Sequence, residues 1–138
     1  MKKFLAIVFA IFLLNSATAY SAIGDWQENQ SKGAKTRLLG SYYTNNKGER
    51  KLITGVHFKM AKGWKIYGHG SDQIGLPPKF NFAASKNYVD HKVLWPKPLM
   101  AEEKIGKNVI PYFYYKDEVV IPIEINAENM VAPVELNI

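Results

Sequence analysis

The sequence predicts an all-β protein, built as a β-sandwich or a β-barrel. Short apolar runs alternate with polar residues at a two-residue period, which is typical of strands with one buried face. Turn-favouring residues separate about seven or eight such runs at intervals of about eight to twelve positions. No stretch keeps the 3.6-residue period of an amphipathic helix. The final run, 134–138, is short, which favours a sheet that is missing its last strands.

The first 19 residues have the layout of a secretory signal peptide. A basic head, Met1-Lys2-Lys3, precedes an uninterrupted apolar run of eleven residues at 4–14, and Ala17 and Ala19 supply the small residues of a cleavage site. A retained membrane anchor is the alternative, but a spanning helix needs about 20 apolar residues. We therefore expect export with cleavage near Ala19 and no membrane span in the rest of the chain.

The composition limits the chemistry that this chain can perform. Its 138 residues, 47% hydrophobic and 22% charged, fit one globular domain. The sequence contains no cysteine, so thiol chemistry, disulfides and thiolate metal sites are excluded for these residues. The formal net charge of +6 falls to +4 once Lys2 and Lys3 leave with the signal peptide. The remaining lysines are scattered, so we do not expect nucleic-acid binding.

The N-terminal part of the mature chain divides into a leader and a hairpin. Residues 20–35 are polar, and we expect an irregular leader that docks through Trp26. The β-sandwich domain then covers 36–138. Its first two strands, at 36–43 and 52–60, flank a turn rich in Asn and Gly and predict an antiparallel hairpin.

A loop punctuated by glycine and proline follows the hairpin. A short strand at 64–67 leads into the loop at 68–78, whose backbone path is restricted by its prolines and opened by its glycines. The alternate phenylalanines at 80–82 predict another strand. Val89 and Val93 are expected to share one face of the strand that follows.

The last part of the chain predicts two strands behind a charged connector. The connector, 99–107, has room for one helical turn. A dense aromatic run at 109–115 turns through Lys116-Asp117 into 119–125, where isoleucines alternate with polar residues. Pro122 cannot donate into a β-ladder, so it favours an edge strand or a bulge.

Metal and nucleophile sites are poorly supported by the spacing of their candidate residues. His57, His69 and His91 are suitable ligand types for zinc or copper, but no two of them have a ligand-pair spacing. We expect solvated or hydrogen-bonded histidines and no metal. Ser71 and Asp72 follow His69 in one loop, whereas the members of a catalytic triad normally converge from separate segments. We expect both side chains to cap amides of their own loop.

Aromatic and proline side chains are the better candidates for a binding surface. Four consecutive aromatic residues at 112–115 cannot all be buried on one side of a strand, so some of them face outward. The loop at 68–78 could lie beside them and complete a groove for a peptide or a protein partner. The candidate binding residues are Trp64, Tyr67, His69, Pro77, Pro78, Tyr112 and Tyr114.

Five ordered segments carry a resemblance to a known family. They read GWKIY at 63–67, GLPPKF at 75–80, SKNYV at 85–89, LWPKP at 94–98 and VVIP at 119–122. In this order and spacing they resemble the N-terminal periplasmic domain of thiol:disulfide interchange proteins of the DsbD and ScsB type. The resemblance extends over about 52–138.

The resemblance implies an immunoglobulin-like β-sandwich in the periplasm. Domains of this family receive electrons from a membrane-embedded domain and pass them to thioredoxin-like partners. They use two cysteines that lie beyond the segment matching 133–138, so no catalytic residue is carried over to this chain. The family pattern is also broken at Lys62, where a proline is usual, and at 68–70, which reads Gly-His-Gly.

Two functions follow from these observations. The first is an exported module without enzymatic activity or cofactor, a fragment or an interaction module of a thiol:disulfide interchange system. Its partners would be periplasmic thioredoxin-like proteins or a membrane-embedded reductase subunit. The alternative is an independent periplasmic domain that binds peptides or proteins.

Overall fold

The computed structural model describes residues 21–30 and 32–129, which form nine β-strands and no helix. The signal peptide and the strand predicted at 134–138 lie outside the described residues. The strands are β1 (Ser21–Ile23), β2 (Gln27–Glu28), β3 (Ala34–Thr44), β4 (Arg50–Met60), β5 (Lys65–Tyr67), β6 (Tyr88–Val93), β7 (Leu99–Ile105), β8 (Asn108–Lys116) and β9 (Glu118–Ala127). The all-β prediction is confirmed.

The strands form two antiparallel sheets. The large sheet has the order β1-β3-β4-β9-β6, with β2 also paired to β3, and the small sheet has the order β5-β8-β7. The predicted hairpin is confirmed, since β3 and β4 pair over their full length from Ala34–Met60 to Thr44–Arg50. Its turn is closed by the Asn45 side chain, which accepts hydrogen bonds from two backbone N–H groups, and by Gly48 at a φ of 78°.

The core lies on the inner face of the large sheet. The two-residue period of β9 places Ile121, Ile123 and Ile125 on one face, and all three are 0% exposed. They pair with alternate residues of β4, among them Leu52 and Val56, which are also buried. Partly buried residues from both sheets pack against this cluster. The prediction of a half-buried strand at 119–125 is therefore confirmed.

Pro122 lies in a strand that has neighbours on both sides, although the sequence favoured an edge or a bulge. Its carbonyl accepts the Leu94 N–H at 2.8 Å. The nitrogen and carbonyl of one residue in an antiparallel strand point to the same side. The nitrogen that lacks a hydrogen therefore faces the chain just beyond Val93, where β6 ends. The β6–β9 ladder ends at the pair of Val93 and Ile123, so no paired residue of β6 lies opposite the Pro122 nitrogen.

Two local predictions differ from the structure. The segment 20–35, predicted as irregular, contains β1 and β2. The helical turn predicted within 99–107 is wrong, because these residues form β7 and pair with β8 from Leu99 to Ile105. The charged side chains of β7 are exposed, so an edge strand of this kind lacks the apolar alternation that identifies strands in a sequence.

Two further differences concern the residues around β6. No strand forms at 80–82, yet Phe82 is 1% exposed and packs in the core from a turn. Val89 does not share the buried face with Val93, since it is 54% exposed. The register of β6 against β9 shifts between Tyr88 and Asp90, which turns Val89 outward.

The described residues contain no helix that is long and apolar enough to cross a membrane.

Close packing on the outer face of the large sheet gives a direct test of the β4–β9 register. A Cβ atom at Gly55 would lie 2.8 Å from Cγ1 of Val120. We predict that Gly55→Ala lowers the free energy of unfolding by about 1–3 kcal/mol, because the added methyl forces the strands apart. Urea denaturation measures the change.

The matched control is Gly40→Ala on β3, where an added Cβ would meet no atom within 4 Å. This variant should be neutral or stabilised by up to about 1 kcal/mol, because alanine restricts the unfolded chain. Adding Val120→Ala to Gly55→Ala should recover most of the lost stability. Equal losses of stability in Gly55→Ala and Gly40→Ala would contradict the β4–β9 register. So would a double variant with Val120→Ala that is no more stable than Gly55→Ala.

Candidate functional site

Three of the predicted binding residues lie together on one face of the small sheet. Tyr67 of β5 pairs with Tyr114 of β8, and Tyr112 lies two residues before Tyr114 on the same strand. Directly paired residues and residues two apart point to the same side of a sheet. Lys65, two residues before Tyr67, belongs to the same side. We call the surface formed by Lys65, Tyr67, Tyr112 and Tyr114 the tyrosine face.

Lys65 is the centre of the tyrosine face. Its Nζ donates a hydrogen bond to the Tyr112 hydroxyl at 2.9 Å and lies 4.5 Å from the Tyr112 ring centroid. It lies 5.4 Å from the ring of Tyr67 and 5.5 Å from that of Tyr114. Contacts of this kind with an ammonium contribute about 0.5–1 kcal/mol each at exposed sites. One ammonium group thus contacts all three rings.

The electrostatics of the tyrosine face favour the charged form of this lysine. The hydrogen bond to Tyr112 is the main reason that the pKa of Lys65 is raised above the ordinary value of 10.5. Partial burial acts in the opposite direction, while the nearby Glu103 carboxylate adds to the increase in the pKa. The face therefore keeps a positive charge at every physiological pH.

The glycine-proline loop supports the tyrosine face from one side. Gly75 lies so close to the Tyr67 ring that a Cβ there would be 2.1 Å from it, so only glycine fits. Ser71 is 1% exposed, and its Oγ accepts the Phe113 N–H at 2.7 Å and donates to the Phe113 carbonyl at 2.8 Å. The Phe113 carbonyl also accepts the Gly68 N–H at 2.8 Å. The loop thus continues the edge of β5 after that strand ends.

The prediction for Ser71 is therefore wrong about its hydrogen-bond partner. We predicted that Ser71 caps amides of its own loop, whereas its hydroxyl binds the backbone of β8, 42 residues away. The path of the loop at 68–78 is thus set by its hydrogen bonds to β8. Local sequence does not reveal such pairing.

The other predicted binding residues lie outside the tyrosine face. Trp64 is 47% exposed and its ring covers Gly33 in the turn between β2 and β3. His69 is exposed and stacks on Trp95, with ring centroids 6.0 Å apart. Pro77 and Pro78 are half-buried in the loop.

The aromatic run divides between two faces, as the sequence predicted. Tyr112 and Tyr114 belong to the tyrosine face, whereas Tyr115 points to the other side and is 5% exposed. Its hydroxyl donates to the Pro96 carbonyl at 2.6 Å, and burial raises the pKa of Tyr115. Tyr112 is itself 7% exposed, so the accessible parts of the tyrosine face are Lys65, Tyr67 and Tyr114.

The three histidines occupy separate environments. His57 contacts Arg37 and Glu118, His69 stacks on Trp95, and the Nδ1 of His91 lies 2.6 Å from a tyrosine hydroxyl. Across residues 21–30 and 32–129, no three His, Cys, Asp or Glu side chains are grouped so that they could hold a metal ion.

A second cluster, which was not predicted from the sequence, lies on the outer face of the large sheet. The cluster consists of Arg37 of β3, His57 of β4 and Glu118 of β9, and Trp26 packs on Arg37 and His57. The Arg37 Nε–H donates to Nδ1 of His57 at 3.0 Å. Since Nδ1 is an acceptor, Nε2 carries the hydrogen that bonds Oε1 of Glu118. The partners are 20 and 61 residues apart, so only the strand register could have revealed the cluster.

Lys65 was also missed, although the sequence held a signal for it. The alternation across 64–67 already puts Lys65 on the same side as Tyr67.

The raised pKa of Lys65 gives a prediction with a defined sign. We expect Tyr112→Phe to lower the pKa of Lys65 towards 10.5, because the acceptor of its hydrogen bond is lost. A lysine whose pKa is raised by folding stabilises the protein fully below its unfolded value, and this contribution is lost as the pH rises through the raised value. Nuclear magnetic resonance titration of the Lys65 side chain measures the change.

Tyr43→Phe is the control for this titration, because Tyr43 is exposed and donates to Glu124 on the large sheet. It should leave the Lys65 titration unchanged. An identical Lys65 pKa in the wild-type chain and in Tyr112→Phe would contradict the arrangement of the face.

Comparison with known proteins agrees with the fold and the sequence resemblance. No curated protein matches the chain. The crystal structure of the N-terminal periplasmic domain of ScsB from Proteus mirabilis is similar, with a TM-score of 0.57 and 21% identity. The match covers 80% of this chain and 41% of that one, so this chain spans less than half of that length. The likeness shows the shared fold, an immunoglobulin-like β-sandwich.

The family assignment comes from a family model. The model described as "Thiol:disulfide interchange protein DsbD, N-terminal" matches residues 42–138, which include all five segments that carried the resemblance. This match covers well over half of the sequence. The chain therefore belongs to the family of N-terminal domains of DsbD thiol:disulfide interchange proteins.

Proposed function

We propose that this chain is an exported docking module of a periplasmic thiol:disulfide interchange system. In this role the β-sandwich holds a partner protein, while cysteines outside these 138 residues carry the electrons. One observation carries the proposal: the chain belongs to a thiol:disulfide interchange family, yet its sequence has no cysteine. A family scaffold without a thiol retains the part of the function that depends on surface shape and charge.

Export to the periplasm is supported from two directions. Residues 1–19 have the basic, apolar and small-residue regions of a signal peptide. The similar domain of ScsB is described as periplasmic. The module would work in that compartment after cleavage near Ala19.

The tyrosine face is the surface that best fits a protein partner. Tyrosine is enriched at the energetic centres of protein interfaces, because a rigid ring buries a large area at little entropic cost. Lys65 already orders the rings in the free chain, so little conformational freedom is lost on binding. Leu99 of β7 pairs with Tyr114 and is 45% exposed, which extends the face with an apolar side chain.

The expected partners are thioredoxin-like proteins of the periplasm or a membrane-embedded reductase subunit. Both belong to the electron path in which this family works. The independent peptide-binding alternative is not favoured, since the family assignment accounts for the fold and for the ordered sequence segments together.

The test is a calorimetric titration of the exported chain with a periplasmic thioredoxin-like protein. We predict saturable binding that Tyr114→Ser weakens at least about tenfold, a loss of about 1.4 kcal/mol, because an interface ring is removed. Leu99→Ser should weaken it in the same direction. The melting temperature of each variant separates lost contacts from lost folding.

The matched control is Tyr43→Ser, which removes an exposed tyrosine from the large sheet. Its affinity should equal that of the wild-type chain. Equal losses of affinity in Tyr43→Ser and Tyr114→Ser would show that the tyrosine face is not the binding surface. The absence of binding to any thioredoxin-like protein or reductase subunit would reject the proposed function. Reduction of the partner's disulfide by the chain alone would also reject it.

A further inference from the structure

The outer edge of β3 is covered by a short segment of the same chain. β1 pairs with β3 through three residues and β2 through two, and between them the Gly24 N–H donates to the Leu38 carbonyl at 2.8 Å. β3 is eleven residues long, so the segment 21–28 covers only part of this edge. The edge thus already accepts an extended peptide in antiparallel register.

Trp26 is the main side-chain anchor of this segment. From Ile23 to Glu28, every side chain except Trp26 is exposed, and Ile23 is 69% exposed. Few apolar contacts therefore oppose the release of the segment from β3. Segments held by so few buried contacts open at a much lower free energy than core strands.

The surface beneath Trp26 is strongly cationic. The Arg37 guanidinium carbon lies 4.4 Å from the Trp26 ring centroid, and the ammonium groups of Lys35 and Lys59 lie at 5.5 and 5.6 Å. The ring of His57 lies at 4.8 Å. Cations over the face of a tryptophan are attracted by the electron density of the ring, and tryptophan is the best partner for them. We call these four side chains the Trp26 platform.

Two members of the platform, Arg37 and His57, are held in place by contacts that do not involve Trp26. Arg37 donates to His57, and His57, which is 6% exposed, bonds Glu118. In the described part of the chain, no buried side-chain nitrogen or oxygen lacks a partner. Arg37 and His57 are therefore already positioned for an indole ring before one binds, which lowers the entropic cost of docking.

The charge of the segment matches the charge of the site. Asp25 and Glu28 flank Trp26, and the segment 21–28 contains no Lys or Arg. Glu28 borders an open groove of about 370 Å³ that is also lined by Lys32, Lys35 and Lys59. Besides Glu28, the charged residues that line the groove are these three lysines and two acidic residues, Asp117 and Glu118. An acidic flank is thus complementary to this edge.

We propose that the edge of β3 and the Trp26 platform form a docking site for an extended, acidic segment of a partner protein that carries a tryptophan. Residues 21–28 occupy the site in the free chain and are displaced by the partner strand. The strand would add to the sheet through main-chain hydrogen bonds, while its indole ring replaces that of Trp26. This site is separate from the tyrosine face and does not depend on the proposed function.

The test supplies the segment as a free peptide. The probe is a labelled peptide with the sequence of residues 21–30, SAIGDWQENQ, and its binding to the full exported chain is measured by fluorescence anisotropy. We expect binding to the Trp26→Ala chain at least about tenfold tighter than to the wild-type chain, because the competing anchor is gone. Replacing the peptide's tryptophan by alanine should weaken its binding at least about tenfold.

The matched control is Trp64→Ala, which removes a tryptophan that is 47% exposed and lies outside the Trp26 platform. This variant should bind the peptide no better than the wild-type chain does. Amide shifts in the Trp26→Ala chain should concentrate on β3 around Arg37–Ser41. Equal binding by the two tryptophan variants, or equal binding of the peptide without tryptophan, would overturn the proposal.

Hydrogen exchange on the unmodified full chain gives a second readout that needs no variant. The Gly24 amide should exchange at least about a hundredfold faster than the amides of the β3–β4 ladder, since the segment opens by itself. If the Gly24 amide exchanged as slowly as the amides of the β3–β4 ladder, the proposed displacement of residues 21–28 from β3 would be contradicted. If the wild-type chain formed a stable dimer that Trp26→Ala dissociates, the occupant of the β3 edge would be a second copy of this chain. That result would reject a partner protein as the occupant.

Discussion

The pairing of β4 with β9 is the constraint on which the rest of the structure depends. It places three fully buried isoleucines of β9 opposite buried residues of β4, and this cluster forms the centre of the core. The tight turn at Asp117 connects β9 to β8, and its carbonyl accepts the Met60 N–H at the end of β4. The position of β8, and with it the tyrosine face, is therefore fixed by the same pairing.

The two sides of the β4–β9 pair have different roles. The inner side is apolar apart from Thr54, whose hydroxyl donates to the Leu39 carbonyl, and it stabilises the sandwich. The outer side combines the close contact of Gly55 and Val120 with the hydrogen-bonded cluster of Arg37, His57 and Glu118. A sheet with one buried face leaves its other face available for recognition, and here that face holds the N-terminal segment through Trp26.

The sequence predicted the elements that depend on local pattern. The β3–β4 hairpin and β9 were predicted because alternation and turn residues act over a few positions. The strand β7 was not, because its charged edge-strand residues carry no apolar period. Trp26 was expected to dock, but its platform combines side chains of β3 and β4, and only the register of these two strands shows which of them meet. The position of Lys65 could be predicted from the sequence, since alternation alone places it on the same side of β5 as Tyr67.

The proposed role of this chain rests on the family assignment and on the absence of cysteine from these residues. The scaffold has the family's fold, and its candidate binding face is arranged by aromatic rings around one lysine. Any reaction step that needs a thiol must use a cysteine outside these 138 residues. The proposed contribution of this chain is recognition, and that proposal can be tested without following any redox step.

The most direct measurement is a heteronuclear nuclear magnetic resonance titration of the labelled, exported chain with an unlabelled periplasmic thioredoxin-like protein. We expect saturable amide shifts concentrated on Lys65, Tyr67, Tyr112 and Tyr114, with the large sheet little affected. Spectra that stay unchanged at saturating partner, or shifts that concentrate away from the small sheet, would contradict the proposal.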